Sequence, residues 1–390
     1  MSVGTGEITT RLAAALDAAS LCLPGQEGDA RECFGDRPLV QPGSEEELAT
    51  FLRLASSEGW CVLPSGLGSK LEWRPVSGDA RVDVVLSTRR LAGVVAFEPG
   101  DGTLTAQAGC TLAELQTLVA GDSLSLTPAV PTPSRATLGG VLAAGQSGID
   151  RERYGPSRHH VLGMRVALAD GTLARTGGRL VKNVTGFDLQ RLYCGSHGTL
   201  CVITEATLRL FPAPATTVVH KASFDTLVEA LDAARDLRAL ALQPFSLLVE
   251  HDDVGAPRTT LHVVLSGREE VVAWESEQVL NTLPESQTAR DDEALAHSKA
   301  LQDGGLLDGR WPDRTGTCRP SEVAALAARW AGSAKRLRIQ PGVAQIEAWW
   351  SGNAPDDRSS ATPSPVALRT MEALRARLDP ERLFAPRALT

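Results

Sequence analysis

Short runs of alternating apolar and polar positions fill the first half of the chain. Residues 44–58 read as an amphipathic helix: Ser44 is suited to the N-cap, Glu47 follows at capping-box spacing, and Leu48, Phe51, Leu52 and Ala55 share a face that Gly59 closes. Trp60-Cys61-Val62-Leu63-Pro64 then reads as a short buried strand that runs directly into Ser65-Gly66-Leu67-Gly68-Ser69-Lys70. A further strand is predicted over 82–87. Runs at 94–98 and 103–108 flank Pro99-Gly100-Asp101-Gly102 as a hairpin, and Thr111 with Glu114 predicts a capped helix over 111–119. A second hairpin is predicted from 161–168 and 172–176 around Asp170-Gly171, then a turn or two of helix over 188–193 and a long strand over 199–211.

Two other regions differ in pattern. The apolar run Leu12 to Leu23, broken by Asp17, predicts an amphipathic helix in an N-terminal helical segment of residues 1–34. Pro212-Ala213-Pro214-Ala215 marks a domain boundary, so a first domain spans 35–212 and a second 216–390. The second alternates strands (217–221, 245–250, 259–265) with helices (226–240, 269–283, 292–303, 321–334). A strand or strand pair follows over 339–350, with Trp349 and Trp350 expected in the core, then a Pro- and Ser-rich loop and a final helix over 366–378. This order predicts an α+β module. No internal repeat interrupts it.

Composition narrows the choices. Of 390 residues 43% are hydrophobic and 22% charged, which fits a folded globular chain. The net charge of −8 argues against a nucleic-acid partner, which would need a basic face. No run of apolar residues is long enough to span a membrane. The seven cysteines are odd in number and form no CxxC pair, so neither a disulfide framework nor an iron–sulfur or zinc site is expected from their spacing. Reduced thiols suit a cytoplasmic chain, with attachment at the inner membrane only through a partner. The 36 glycines cluster where backbone must come close to something.

Three segments carry candidate chemistry. In Ser65-Gly66-Leu67-Gly68-Ser69-Lys70 the glycines let amides turn inward, the serines add hydroxyls and Lys70 adds charge. It is either a phosphate cradle or a plain Gly-rich turn. It lacks the third glycine of a dinucleotide fingerprint and the spacing of a P-loop. In 133–148, Thr137 can cap a short helix, and Gly139, Gly140, Ala143, Ala144 and Gly145 leave little side-chain bulk, for a flat ligand or for close helix–sheet packing. In 178–189, Lys182 and Asn183 stand side by side ahead of a helix start at Asp188, in what is otherwise a solvated loop. The run 195–205 follows at once. His197 within Gly-Ser-His-Gly does not make a nucleophile elbow, because residue 194 is Cys. Arg158, His159 and His160 are candidates for a base or an anion-binding group, with a buried structural role as the alternative.

In this order and spacing the segments resemble the FAD-binding domain of the vanillyl-alcohol oxidase/PCMH-type family, and more narrowly the E-type FAD-binding subunits of glycolate oxidases. The matches are Gly66/Gly68/Ser69/Lys70, Thr137 to Gly145, Val161-Leu162-Gly163, Lys182-Asn183-Val184-Thr185-Gly186-Phe187-Asp188-Leu189, Gly195 to Glu205, and more weakly the tail Asp379 to Pro386. The resemblance implies an α+β fold: a PCMH-type FAD-binding domain of two α/β subdomains, followed by a smaller α+β cap with the C-terminal helix. It implies one FAD, held by Ser65, Gly66, Leu67, Gly68, Ser69 and Lys70 around the pyrophosphate. Pro133, Ser134, Thr137, Gly139, Gly140, Ala144, Gly145 and Gly148 would lie along pyrophosphate and flavin, with Lys182, Asn183, Gly198 and Ile203 completing the site. No His lies in the loop, so the FAD is expected to be noncovalent.

Departures from the family pattern bear on function. Leu67 interrupts consecutive glycines, so either it points away from the phosphates or the loop binds them less well. Phe187 stands for a Tyr and Ala385 for an Asn. The His-x-Gly-Asp-Gly-Asn-x-His motif of the larger D-type subunits is missing, and His220, His251, His262 and His297 show no metal spacing; His251-Asp252-Asp253 reads as a loop after a strand. No metal is expected, and no catalytic residue can be named. The resemblance therefore implies an FAD-binding subunit that supports oxidation of a small 2-hydroxy acid such as glycolate, beside a D-type flavoprotein and an F-type iron–sulfur subunit that takes the electrons. The alternatives are a stand-alone FAD-dependent oxidoreductase of a small carboxylate and a non-catalytic FAD-containing assembly subunit.

Overall fold

The computed structural model describes residues 5–22, 37–71, 81–179, 187–253, 258–304, 312–350 and 365–384. Three large sheets and one two-stranded pair, Leu124–Ser125 with Phe211–Pro212, organise them. The first has four strands in the order Leu21–Cys22, Leu39–Val40, Val84–Ser87, Val62–Ser65, the last three parallel. Helix Glu45–Ser57 packs on it through Leu48, Phe51, Leu52 and Ala55, started by Ser44, whose side chain accepts the Glu47 amide. The second sheet is antiparallel, in the order Val94–Glu98, Thr103–Gln107, Val202–Arg209, Val161–Ala167, Leu173–Gly177. Both predicted hairpins lie in it. Glu45 joins the two sheets: its carboxylate accepts from Thr204 Oγ1 at 2.5 Å and pairs with Arg165.

The third sheet belongs to the cap. Its seven antiparallel strands run in the order Gln287–Arg290, Thr216–Phe224, Arg258–Gly267, Ser246–Asp252, Arg336–Gln340, Gln345–Trp349, Arg314–Thr317. The predicted strand over 339–350 is thus a pair, because Pro341-Gly342-Val343 makes a tight turn. Helices Leu227–Ala239, Glu269–Thr282 and Val323–Ala331 bury one sheet face, where Trp350 meets Trp330 edge to face at 5.8 Å. Trp349 and Trp350 are both buried. His251 lies within a strand rather than in the expected loop, and its Nδ1 is 2.9 Å from Thr259 Oγ1.

The cap is fastened to the first domain by the short helix Arg151–Tyr154. Arg151 donates to Gln345 Oε1 at 2.7 Å, Arg153 to the Gln243 carbonyl at 2.8 Å, and Arg238 pairs with Glu152 at 3.5 Å. From the other side Gln302 donates to the Val130 carbonyl at 2.6 Å.

Both chain ends depart from the expected boundaries. The N-terminal helix is Thr5–Ala15, earlier than the Leu12–Leu23 pattern predicts. Asp17 accepts the Ala19 amide and caps a tight turn, which frees Leu21–Cys22 to pair as a strand with Leu39–Val40. Ile8, Leu12 and Leu16 lie in the same core as Phe51 and Trp60, so residues 5–22 are part of the first domain rather than a separate segment. At the other end Leu383 and Phe384 enter that same core, and the Val62 amide donates to the Leu383 carbonyl at 2.7 Å. Buried Asp379 shapes this return by accepting the amides of Leu383 at 2.6 Å and Phe384 at 3.0 Å. Asp379→Ala should cost about 2–4 kcal/mol, since two buried amides lose a charged acceptor. Urea unfolding checks this, and an unchanged midpoint would contradict it.

Candidate functional site

The parallel strands end at a cleft. Past Ser65 the chain cannot continue the ladder, and its carbonyls are fixed instead: Thr88 donates to the Ser65 carbonyl from its amide at 3.0 Å, and Ser87 Oγ donates to the Gly66 carbonyl at 2.8 Å. Gly66 lies so close to Thr137 that a Cβ would overlap the Thr137 hydroxyl, and Gly68 sits at φ 83°, a region that other residues enter only with strain. With the carbonyls turned inward, the amides of Gly66 and Gly68 have no acceptor among the described residues.

The facing wall is helix Leu138–Ala144, capped by Thr137, whose hydroxyl accepts the Gly140 amide at 3.3 Å. Its other first-turn amides are also used, Leu138 donating to the Cys110 carbonyl and Gly139 to the Ala108 carbonyl, both at 2.8 Å. A Cβ on Gly139 would come within 2.7 Å of Ala108 Cβ, so the glycine there serves close packing. This helix therefore offers a flat apolar wall with its first-turn amides already used; the amides without an acceptor among the described residues are those of the loop.

The third wall is the turn before strand Val202–Arg209. His197 holds φ 53° there and donates its amide to the Ala143 carbonyl at 2.7 Å, locking the turn to the helix. The cavity between the walls is about 70 Å³ and opens to solvent. Among the described residues its lining holds Lys70, His197 and the Cys201 thiol as titratable groups and no carboxylate. Burial pushes Lys70 down to about 7 and the Cys201 thiol well up, so that thiol stays protonated at neutral pH.

The cleft gathers Ser65, Gly66, Leu67, Gly68, Ser69, Lys70, Thr137, Gly139, Gly140, Ala144, Gly198 and Ile203. Leu67 forms part of its wall. Pro133 and Ser134 lie in a tight turn outside the lining. Gly145 ends the helix at φ 62° against Gly195, and Gly148 packs on the Ala129 carbonyl; both are small for packing reasons. Lys182 and Asn183 fall outside the described residues. Sequence reasoning missed Thr88 and Cys201, and it weighed His197 only as part of a hydrolase motif. Thr88 was discoverable, because parallel pairing of Ser65 with Ser87 puts the next residue at the cleft.

The other candidate bases are committed elsewhere. His160 is buried edge-on to Phe211 at 5.3 Å, and burial pushes it down to about 4, so it is neutral at pH 7. His220 is likewise held down to about 4 by burial, between Ser276 at 2.8 Å and Thr288 at 3.0 Å. In the cap, Arg336 at 2.9 Å and Arg338 at 3.0 Å share Glu250, which His262 also approaches at 3.4 Å. Despite burial, His262 and the two arginines hold the Glu250 carboxyl down to about 2. No group of three or more potential metal ligands exists among the described residues.

Residues 37–177, which contain the glycine loop and the facing helix, match the family model described as an FAD binding domain. The candidate site thus lies largely within the part of the chain that resembles this FAD binding domain, and the cofactor is FAD. The residues fit it: two phosphates need donors and no nearby anion, and a flat ring system needs a wall without side-chain bulk. The chain is 32% identical over 209 residues to the D-lactate dehydrogenase of Archaeoglobus fulgidus, covering 53% of this chain and 46% of that protein. It is 28% identical over 239 residues to glycolate oxidase subunit GlcD of Bacillus subtilis (58% and 50%), and 35% over 212 to the D-2-hydroxyglutarate dehydrogenase of Xanthomonas citri pv. viticola (53% and 44%). The chain spans about half the length of the curated relatives it matches. A solved alkyldihydroxyacetonephosphate synthase shares the fold, with a TM-score of 0.69 at 18% identity over 98% of this chain and 86% of that one. The glucose dehydrogenase Phl p 4.0202 does so with 0.69 at 14%, over 97% and 98%.

Gly68→Val should abolish most FAD binding, because a β-branched side chain strains the loop at φ 83° and brings bulk to the donor amides. The flavin-to-protein absorbance ratio reads this out; full flavin content in the variant would contradict the assignment of the loop.

Proposed function

We propose that this chain is the FAD-holding subunit of a flavoenzyme that oxidises small 2-hydroxy acids, of the E type found in glycolate oxidases, with its FAD bound noncovalently. The observation that carries the reading is the cleft: two uncommitted glycine amides, one buried lysine and no carboxylate among the described lining, set against an apolar helix wall. Bound FAD supplies the acceptance of two electrons and a proton equivalent as hydride. The chain's own residues bind and orient. The Gly66 and Gly68 amides and Lys70 hold the diphosphate, Leu138–Ala144 supports the flat part of the ligand, and Thr137 fixes the spacing between loop and helix.

The cap supports the choice of a partnered subunit over a stand-alone enzyme. Its buried charges are bound to one another: Arg338 also donates to the Leu301 carbonyl at 2.6 Å, and His262 Nδ1 meets His297 Nε2 at 3.1 Å. Such a network holds the cap together and leaves the substrate-gripping groups to another chain. The partners in this reading are a D-type flavoprotein and an F-type iron–sulfur subunit.

The isolated chain should carry FAD that acid precipitation releases, and should reduce an artificial acceptor with glycolate only when a D-type partner is added. Flavin left in the pellet would contradict noncovalent binding. Comparable glycolate turnover by the chain alone would favour the stand-alone reading.

A further inference from the structure

A second cavity lies at the joint between the cap and the first domain and shares no lining residue with the cofactor cleft. It measures about 140 Å³. An engineered cavity of about 150 Å³ takes up benzene, so there is room for a small apolar group. Leu237 from helix Leu227–Ala239, Leu247 and Val263 from the cap sheet, and Leu242 and Pro244 from the loop between them make apolar walls. Gln243 anchors that loop: its carbonyl accepts from Arg153 and its amide donates to Glu275, both at 2.8 Å. Charge is confined to one end, where Glu152 of the first domain meets Arg238 of the cap. Gly342 packs so closely on the Glu152 carboxylate that a Cβ there would overlap it, which fixes the carboxylate in place. Oε1 pairs with Arg238 at 3.5 Å, while Oε2 is buried with no hydrogen-bond partner among the described residues. Burial raises the Glu152 carboxyl above its ordinary value, against the pull of Arg238. Arg238 makes long contacts to Glu152 and to the Gly342 carbonyl at 3.4 Å, and its fork has further donors to offer.

Water suits only the charged end, because a buried water needs roughly two to four polar partners and the apolar walls offer none. A ligand with only a positive charge would meet Arg238, and one with only a negative charge would meet Glu152. A ligand carrying both charges satisfies both groups, and its apolar remainder has the walls. We propose that this cavity binds an apolar α-amino acid. Its ammonium group donates to Glu152 Oε2, its carboxylate accepts from Arg238, and its branched side chain fills the space between Leu237, Leu242, Leu247 and Val263. No covalent bond forms or breaks. Glu152 lies on the helix that fastens the cap and Arg238 on the cap itself, so the ligand bridges the two domains and steadies the joint. The site is regulatory rather than catalytic, and it does not depend on which substrate the flavin oxidises.

Calorimetric titration of the full holoprotein with leucine tests this. Isoamylamine keeps only the ammonium, isocaproate only the carboxylate, and glycine both charges without the apolar group. Leucine should bind at millimolar concentration or below and raise the melting temperature, as a ligand of the folded state does. Each analogue should bind at least about tenfold more weakly, since it leaves a charged group unpaired or the apolar space unfilled. Glu152→Gln should weaken leucine binding by about tenfold as well, through loss of the charged acceptor. Leu242→Trp fills the space, keeps both charges and should abolish binding, with flavin content unchanged in both variants. No binding of leucine would overturn the proposal. Isoamylamine or isocaproate binding as tightly as leucine would overturn the two-charge recognition, and leucine binding that survives Leu242→Trp would overturn the location.

Discussion

The site depends on the contact between Gly66 and Thr137. It presses the loop that leaves the parallel sheet against the helix that packs on the antiparallel one, with no room for a Cβ between them. Thr137 caps the helix with the same hydroxyl, so one side chain sets both the helix start and the distance of the loop. Ser87 and Thr88 fix the loop carbonyls from behind, and the Gly66 and Gly68 amides are left toward the cleft. A backbone cradle of this kind works without a net positive protein. The chain carries a formal charge of −8, yet no acid among the described residues lines the cleft.

The remainder of the fold keeps that contact in place. Glu45 ties the two sheets of the first domain through Thr204 and Arg165, next to the strand that forms the third wall. The chain returns to the first core at its end, where Phe384 bridges Val62, the first residue of the strand that leads into the loop. Arg151, Glu152 and Arg153 fasten the cap. Within the cap, ion pairs around Glu250 are satisfied internally, which suits a scaffold.

Much of this was legible in the sequence because local signals agreed with the fold. The Ser44 and Thr111 caps and both hairpins act over a few residues, and each appears as expected. The glycine loop and the helix after Thr137 were readable as well, since close backbone approach demands small residues. Long-range pairing was not. Nothing near Leu21 says that it will meet Val40, and nothing near Phe384 points to Val62. Nor could composition separate the glycines that line the cleft from Gly145 and Gly148, where other backbone comes close. The sequence left helix Leu138–Ala144 between a seat for a flat ligand and close packing; its first-turn amides donate to the carbonyls of Cys110 and Ala108, a pairing that no local signal reveals.

The central claim is that the loop, and not the helix, supplies the donors for the cofactor's diphosphate. Amide hydrogen exchange with and without FAD tests it residue by residue. The account predicts that FAD slows exchange at Gly66 and Gly68, while Leu138, Gly139 and Gly140 are already protected and change little. New protection at the helix amides with none in the loop would contradict it.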